Sequence, residues 1–370
     1  MTNYIRGDLL LYTNKGLKRL DKISKHDVIN GNNIDEITKH NLKGYSYLFK
    51  IKTLHNIDNY YLSGNNKIYC IQNIPYDLKM KDCPNFIEDN KRICTPSFIN
   101  VNELTDFDYI GYPINNDNDN DNANANANAN ANVNDNDNDN DNVNDNDNVN
   151  ANANANANAN DNANDNDNDN VNDNDNDNDN DNANDNDNDN DDKYRFLGLT
   201  LLDQFIFSLN NNMNINTIGF LNKYLHNNNI PFEIFNNNIT TSIKIDISDK
   251  TILLKKEEIL NLSSENIKKV IKGFIEINSV INTNDKTVFY FLKNLFMKVG
   301  ILLNANYINN NYVIKIPQSL EETEKNYFIY DNYIWSKIKK IGKTDKYFGH
   351  LYSIKMANNS KYLTEIGVIS

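Results

Sequence analysis

The sequence predicts a mixed fold in which an all-β segment is followed by a long disordered insertion and then by an α+β segment. Short apolar runs separated by turn residues fill residues 4–114, a pattern typical of a compact β fold. Residues 115–192 alternate asparagine with aspartate, alanine or valine. Two helices of similar build, each with one glycine among apolar residues, mark the second segment.

The first segment is predicted to be all-β because its apolar residues come in short runs with turns between them. Residues 8–12 form one such run, and Asn14-Lys15-Gly16 supplies a turn. Apolar and polar residues alternate within residues 45–53 and 60–63, as expected for strands with one buried face. A further apolar run at residues 109–112 closes the segment.

The insertion is predicted to be disordered. It spans 78 residues and contains no aromatic residue, no lysine and no arginine. Such a segment cannot bury enough apolar surface to offset the entropy that ordering would cost. A calcium-binding array would explain the aspartates, but the glycine turns and the bidentate glutamate of such sites are missing.

The net charge of −14 conceals a basic remainder, because the insertion holds 23 of the 51 acidic residues and none of the basic ones. Residues 193–370 carry 22 lysines and arginines against 15 acidic residues. A basic segment suits a partner with a phosphate backbone. A solvated lysine-rich surface would explain the same charge equally well.

The cysteines, the N-terminus and the length of the apolar runs indicate the cellular compartment of the protein. Cys70, Cys83 and Cys94 are odd in number and lack metal-ligand spacing, which fits a reducing compartment. The N-terminus does not read as a signal peptide, and no apolar run reaches the length of a membrane span. We therefore expect a soluble protein inside the cell, the nucleus included, with no membrane partner.

The two glycine-bearing helices are the most informative feature. Gly198 lies five residues before Asp203, and Gly273 lies five residues before Asn278. A glycine at such a place lets two backbones approach closely. Two carboxylates brought together at the ends of paired helices can share divalent metal ions and cut a phosphodiester. Here one end offers a carboxylate and the other an amide.

The segment from residue 193 to residue 344 resembles the LAGLIDADG (DOD-type) homing endonucleases that lodge inside inteins. The resemblance rests on residues 197–204 and 271–279, and each of these motifs is followed by strands and a further helix. It implies a pseudo-dimer of tandem αββα-type repeats. It also implies a monomer with an internal two-fold axis that acts on double-stranded DNA with Mg²⁺.

The same resemblance assigns roles to three candidate catalytic residues. In the family the acid beside the closing glycine of each motif binds the metal, which implies a metal ligand at Asp203. The second motif has Asn278 at that position, and Glu276 falls on an earlier acid of the motif. An amide binds Mg²⁺ poorly, so the second metal position would be weakened. For Glu276 we favour a contact on the helix face or at the helix end over metal binding.

The first segment, residues 1–114, resembles the Hint module of inteins and hedgehog autoprocessing domains, and residues 345–370 resemble its closing strands. Gly7 with the following apolar run, and the turn at Gly16, carry the resemblance. By register the splicing nucleophile falls on Asn3, and the Thr-x-x-His pair falls on Ser63 and Asn66. Asn3 offers neither thiol nor hydroxyl, and Asn66 cannot act as a proton carrier, so splicing is predicted to be lost.

Further candidates carry weaker signals. Active-site lysines of the family could correspond to Lys337, Lys339, Lys340 or Lys343, although a solvated cationic face explains them as well. Asparagines in residues 210–214, 236–238 and 304–312 could read adenine in a major groove. The five histidines are expected at the surface, and Trp335 is expected in a core.

The leading hypothesis is a free-standing, intein-derived homing endonuclease whose cleavage is reduced to nicking or lost. It is most similar to the branch of the family that holds the yeast mating-type switching endonuclease and its vacuolar-ATPase intein relatives. A DNA-binding relic without cleavage and a decaying element without function are the alternatives. The nuclease interpretation requires that Gly198 and Gly273 lie in touching helices, and we expect these helices to cross above a positively charged saddle.

Overall fold

The structure, a computed structural model, describes residues 3–29, 32–41, 47–114, 185–246, 254–321, 325–344, 347, 349–357 and 361–370. The predicted insertion lies outside these residues up to residue 184. Within the described ranges the chain forms 21 strands and seven α-helices. None of these helices is both long enough and apolar enough to cross a membrane.

The elements of residues 1–114 are β1 (Ile5–Arg6), β2 (Leu10–Thr13), β3 (Gly16–Arg19), β4 (Val28–Ile29), β5 (Asn32–Asn41), β6 (Phe49–Thr53), β7 (Tyr60–Leu62), β8 (Lys67–Ile71), α1 (Cys83–Asp89), α2 (Lys91–Cys94), β9 (Ser97–Asn100) and β10 (Tyr109–Pro113). The next elements are α3 (Asp185–Leu199), β11 (Ile206–Asn210), α4 (Ile215–Asn227), β12 (Phe232–Asn236), β13 (Thr240–Ile245), α5 (Lys256–Leu260), α6 (Ser264–Ile275), β14 (Val280–Thr283), α7 (Lys286–Met297), β15 (Ala305–Ile308) and β16 (Asn311–Lys315). The last elements are β17 (Tyr327–Tyr330), β18 (Tyr333–Lys343), β19 (His350–Met356), β20 (Tyr362–Thr364) and β21 (Gly367–Ile369).

Fifteen strands form one antiparallel sheet, in the order β10-β18-β6-β7-β1-β19-β5-β4-β2-β20-β21-β8-β9, with β17 on β18 and β3 on β2. Because β8 also pairs with β10, the sheet closes on itself. Strands β20 and β21 lie between β2 and β8, so the end of the chain completes a sheet that its beginning starts. Fully buried aliphatic side chains fill the interior, among them Leu11, Ile51, Leu62, Ile68 and Ile110.

The predicted boundary at residue 344 is not where the chain enters this sheet. Strands β17 and β18 precede residue 344, yet β18 pairs with β10 and β6. The physical reason is the burial of apolar side chains. Ile334, Trp335 and Ile338 of β18 are buried in cores formed with the first segment. As predicted, Trp335 is a core residue; its indole N–H donates to the Tyr330 carbonyl at 2.9 Å.

The first segment is not entirely β. Helices α1 and α2 interrupt it, and Pro84 in the first turn of α1 suits a helix start. Cys83, Ile87 and Cys94 are fully buried and pack with Trp335. Burial raises the pKa of the Cys83 thiol to about 11. These cysteines therefore serve as small apolar core residues.

Two α/β units with the same element order make up most of the remainder. The first α/β unit runs α3-β11-α4-β12-β13, and the second runs α6-β14-α7-β15-β16. Their three-stranded sheets also share one order, β11-β13-β12 and β14-β16-β15. Each unit has its own core under its sheet.

Local signals explain where these elements begin and turn. The Ser263 hydroxyl accepts from the Asn266 N–H at 3.3 Å before α6, and the Asp285 carboxylate accepts from the Thr287 N–H at 2.8 Å before α7. Asn309 and Asn310 both have positive φ, as a two-residue hairpin turn between β15 and β16 requires. Helix α3 begins at Asp185, so the last residues of the predicted disordered tract are helical.

Candidate functional site at the paired glycine helices

Helices α3 and α6, hereafter the motif helices, touch backbone to backbone at their glycines. A Cβ placed on Gly198 would lie 2.0 Å from the Val270 carbonyl oxygen, and one on Gly273 would lie 2.2 Å from the Arg195 carbonyl oxygen. Each glycine faces the carbonyl of the residue three positions before the other glycine, so the contact is reciprocal. No side chain fits at either position, which is why both are glycine.

The motif helices run side by side in the same direction. Near the start of the contact Asp191 forms an ion pair with Lys269 at 2.6 Å. Near its end Gly198 faces Phe274. The N-terminal parts of the two helices therefore contact each other, and so do their C-terminal parts. Both C-terminal ends lie at one end of the pair, where unpaired carbonyl groups give each helix a partial negative charge.

Asp203 follows the end of the first motif helix with an exposed carboxylate. Its N–H donates to the Thr200 carbonyl at 3.1 Å, and its φ of 56° places it in the left-handed region. Aspartate tolerates that conformation better than most residues. Within the described part of the chain this carboxylate has no hydrogen-bond or ion-pair partner, so it is open to a ligand.

Asn278 follows the end of the second motif helix, but its side chain is engaged. The amide nitrogen donates to the Phe274 carbonyl at 2.9 Å. This bond satisfies one of the carbonyls that the end of α6 leaves without a helical partner. An aspartate would have no hydrogen to donate there.

Glu276 joins three helices. It accepts two hydrogen bonds from Arg195 of α3, at 2.8 Å and 2.9 Å, and a third from the Thr217 hydroxyl of α4 at 2.9 Å. The guanidinium of Arg195 also lies 4.1 Å above the ring of Phe220. In this geometry both carboxylate oxygens are bound by protein groups, as expected of a contact at a helix end.

The oxygen atoms at the C-terminal ends of the motif helices could hold at most one divalent cation, and only weakly. Asp203 offers a carboxylate, and the helix ends and Asn278 offer neutral oxygens, which are ligands that Mg²⁺ accepts. No group of three or more His, Cys, Asp or Glu side chains is placed to hold a metal in the described residues. Asp203 is therefore the one carboxylate at this helix end that has no protein partner within the described residues.

The open faces of the two small sheets are not the basic saddle that the sequence predicts. The first face is lined by Ile206 and Phe235 with small polar residues, and its Lys244 is paired with Glu233 at 3.3 Å. On the second face Lys315 stands among asparagine and aliphatic side chains. Most of the positive charge of residues 193–370 lies elsewhere.

The asparagines predicted to contact a groove mainly build turns. The Asn237 side chain accepts from the N–H groups of Ile239 and Thr240, at 2.8 Å and 2.6 Å. The Asn210 side chain accepts from the next turn in the same way. Asn residues stabilise such turns by bonding to the nearby backbone. Asn306 and Asn311, on the open face of the second sheet, are exposed.

The candidate lysines all lie on β18 of the large sheet. Lys337 lies 5.8 Å from the ring centre of Phe107, and Lys343 lies 5.9 Å from that of Phe49. Lys339 and Lys340 are exposed. Their contacts are thus with the first segment of the chain.

The positions aligned with splicing residues hold a backbone segment in place. The side chain of Asn66 is buried and donates to the Tyr4 carbonyl at 2.8 Å, while the Tyr4 N–H donates to the Ser63 hydroxyl at 2.9 Å. Asn3, one residue earlier, is exposed. Ser63 and Asn66 therefore clamp the chain directly after Asn3 without supplying a proton carrier.

A buried polar cluster escaped the sequence analysis. Lys293 of α7 is fully buried, and its ammonium donates to the Asn56 side chain at 2.5 Å and to the Glu365 carbonyl at 3.1 Å. Burial lowers the pKa of Lys293 to about 7. The sequence did contain a signal for the burial of Lys293, because helical spacing puts it on the same face as Phe289 and Phe296.

His55 corrects the expectation that the histidines lie at the surface. It is buried, and its Nδ1 lies 2.7 Å from the Ser336 hydroxyl. Burial, reinforced by the charge of Lys293, lowers its pKa to about 3. The contact with β18 that buries it spans most of the chain, so no local pattern predicts it.

No protein-family model and no curated protein matches this sequence. Among solved structures, the chain is similar to mesophilic variants of the homing endonuclease I-DmoI, with 12% identity, a TM-score of 0.28, and coverage of 35% of this chain and 83% of that one. I-DmoI in complex with DNA and Mn gives 12% identity, a TM-score of 0.28, and coverage of 36% and 99%. TM-scores this low do not establish a shared fold.

Proposed function

We propose that this protein binds double-stranded DNA and hydrolyses its backbone with a divalent metal, at a site formed by the C-terminal ends of the motif helices. One observation carries the proposal: the reciprocal, side-chain-free crossing of Gly198 and Gly273 in two helices that run the same way. Each helix then leads into the same series of strands and helix. This arrangement supports a LAGLIDADG-like pseudo-dimer within one chain, and hence action as a monomer.

Asp203 is the residue that we assign to metal binding. Its carboxylate is exposed and without a protein partner in the described residues, and the negative helix ends beside it favour a cation. A bound Mg²⁺ would polarise the phosphate and lower the pKa of a water molecule. The chain contributes the fixed carboxylate and the rigid helix pair that holds it.

The second half of the site is weakened, which supports nicking or slow cleavage over efficient double-strand cutting. The Asn278 amide is committed to the Phe274 carbonyl. Glu276 is committed to Arg195 and Thr217. Neither residue replaces the missing carboxylate without breaking a contact that closes a helix end.

We further propose that the strands of residues 1–114, together with β17 to β21, form a Hint-like domain that has lost splicing. The clamp of Ser63 and Asn66 on Tyr4 supports it, since it holds the chain beside the position that aligns with the splicing nucleophile. Asn66 takes the place of a histidine, and a neutral amide cannot carry a proton between groups.

The test is nicking of supercoiled plasmid in Mg²⁺ or Mn²⁺ by the full chain and three variants. We expect Asp203→Ala to lower the nicking rate about 100-fold, the scale on which loss of one transition-state contact acts. Asp246→Ala removes an exposed acid elsewhere and should match the parent. Asn278→Asp restores a second carboxylate and should shift products from nicked towards linear plasmid.

Equal rates for Asp203→Ala and the parent would remove Asp203 from the mechanism. A chain that binds duplex DNA in a salt-dependent way but never cuts it would support the second candidate, a DNA-binding protein without cleavage. The contacts that occupy Asn278 and Glu276 favour this second candidate over a fully active enzyme.

A further inference from the structure

Strands β6 and β18 place four lysines close together on the large sheet, outside the motif helices. Lys340 lies directly opposite Lys52 in the antiparallel register, and Lys50 lies two residues from Lys52 on the same face. Lys339 occupies the irregularity in register just before Lys340. We refer to these four residues as the lysine surface.

Among the described residues, no carboxylate forms an ion pair with the lysine surface. Asp58, whose charge acts on Lys52, is itself paired with Lys286 at 3.1 Å. Burial and the charges of Lys339 and Lys50 lower the pKa of Lys52, while Asp58 opposes this. The positive charge is therefore concentrated, and within the described ranges no ion pair neutralises it.

Like charges facing each other across a strand pair destabilise a sheet. The Asp8 carboxylate does not relieve this repulsion, because it is paired with Arg6. An external polyanion would relieve it, because each bound phosphate neutralises an ammonium group and releases a condensed counterion.

The lysine surface is continuous with the second α/β unit. The Lys52 ammonium donates to the Ile57 carbonyl at 2.9 Å. The next residue, Asp58, pairs with Lys286 in the first turn of α7 and accepts from the Tyr290 hydroxyl at 3.3 Å. A stiff polyanion lying across the second α/β unit would thus meet the lysine surface next.

We propose that the lysine surface binds the phosphate backbone of duplex DNA and supplies affinity that the nearly neutral open faces of the small sheets do not. The inference rests on the proposed function in one respect, the choice of DNA as the polyanion. It assigns positioning and affinity to the large sheet, and it leaves cutting to the motif helices.

The test is fluorescence anisotropy of a labelled mixed-sequence duplex DNA with the full chain over a range of salt concentrations. The test variant carries Lys50→Gln, Lys339→Gln and Lys340→Gln; Lys52 is kept because it bonds to Ile57. Affinity should fall about tenfold, and the slope of log K against log salt should become shallower by about 2.7, or 0.9 for each lost contact. The matching Lys→Arg triple variant should keep both the affinity and the slope.

A control variant removes the same charge from exposed lysines outside these strands, through Lys22→Gln, Lys79→Gln and Lys81→Gln. It should leave the slope unchanged. Equal losses in the test and control variants would overturn the lysine surface as a DNA contact, and thermal unfolding of each variant checks that it is folded. A parent chain that does not bind duplex DNA at low salt overturns both proposals.

The two proposals fail separately in the remaining cases. If the test variant loses affinity while neither it nor the parent cuts plasmid, the nuclease proposal fails and the lysine surface stands. If the parent cuts DNA through Asp203 and the test variant binds as tightly as the parent, the nuclease stands and the lysine surface fails.

Discussion

Asn278 uses its amide hydrogen in a way that an aspartate could not. Its bond to the Phe274 carbonyl closes the end of α6, where the helix dipole would repel a carboxylate. Asp203 occupies the corresponding place after α3 and makes no such bond in the described residues. The two positions differ by one functional group: the amide caps its helix, whereas the carboxylate, which we propose as a metal ligand, does not.

Lys293 is the other single residue whose surroundings decide its chemistry. It is enclosed by Asn56, Tyr112 and the turn at Glu365, and its ammonium lies 4.6 Å from the ring centre of Tyr112. Burial raises the pKa of Glu365, and the positive charge of Lys293 opposes that rise. Burial therefore disfavours the charged form of each group, and the charge of the other opposes this.

A pH dependence of stability follows for Lys293. Its pKa is about 7 in the folded protein and 10.5 ordinarily, so between these values the unfolded chain binds the proton more strongly. The free energy of unfolding should therefore rise from pH 7 to pH 9, relative to Lys293→Met, by about 2 kcal/mol. Urea unfolding of both proteins at the two pH values measures this difference.

Glu365→Gln provides the control for that experiment. In this background the carboxyl that favours the ammonium form is gone, so the rise should begin at a lower pH. A difference between parent and Lys293→Met that stays constant from pH 7 to pH 9 would show that Lys293 is charged and solvated in the folded state.

At the scale of elements, the motif helices can touch only because Gly198 and Gly273 have no Cβ atom. Leu197 and Leu201 point from the α3 side into the core of the second α/β unit, while Phe196 and Leu199 enter the core of the first. The glycine between them lets one helix serve both cores. The crossing is thus as much a structural centre as a candidate site.

Gly198→Ala should destabilise the protein by about 3 kcal/mol, because the new methyl group would meet the Val270 carbonyl and one of the two backbones must move. Gly219→Ala is the matched control. Gly219 lies in α4 with nothing within 4 Å of an added Cβ, and alanine there should stabilise by about 0.5–1 kcal/mol. Urea unfolding measures both, and equal effects would mean that the helices do not touch.

At the scale of the whole molecule, charge is divided sharply along the chain. Residues 115–192 hold 23 aspartates, whereas the rest of the chain has 37 basic and 28 acidic residues. The electrostatic force between the protein and a charged partner extends over about one Debye length. Because this length is longest at low salt, net charge affects association most under those conditions. The acidic tract should therefore oppose the approach of any polyanion to the basic remainder.

Replacing the 18 aspartates of residues 115–184 by asparagine should tighten binding of duplex DNA at low salt. The gain should fade towards 1 M salt, where the Debye length falls to about 3 Å. Anisotropy titrations at several salt concentrations measure it, with an alanine-to-serine variant of the same tract as the uncharged control. Unchanged affinity at low salt would show that the tract does not affect association.

Local patterns in the sequence were enough to predict the glycine-bearing helices, the strands of the two α/β units except β14, and the core position of Trp335. Periodicity, turn residues and side-chain caps act over a few residues, and they are visible without the fold. The short strands of the first segment were predicted on the same grounds, although helices α1 and α2 were not.

Only the tertiary structure decided which of the candidate residues are available for chemistry. The partners that occupy Glu276, the pairing of Lys340 with Lys52 and the burial of Lys293 and His55 all join residues far apart in the chain. The free energy of a polar group depends on what surrounds it after folding, and that environment is created by long-range packing rather than by neighbours in sequence.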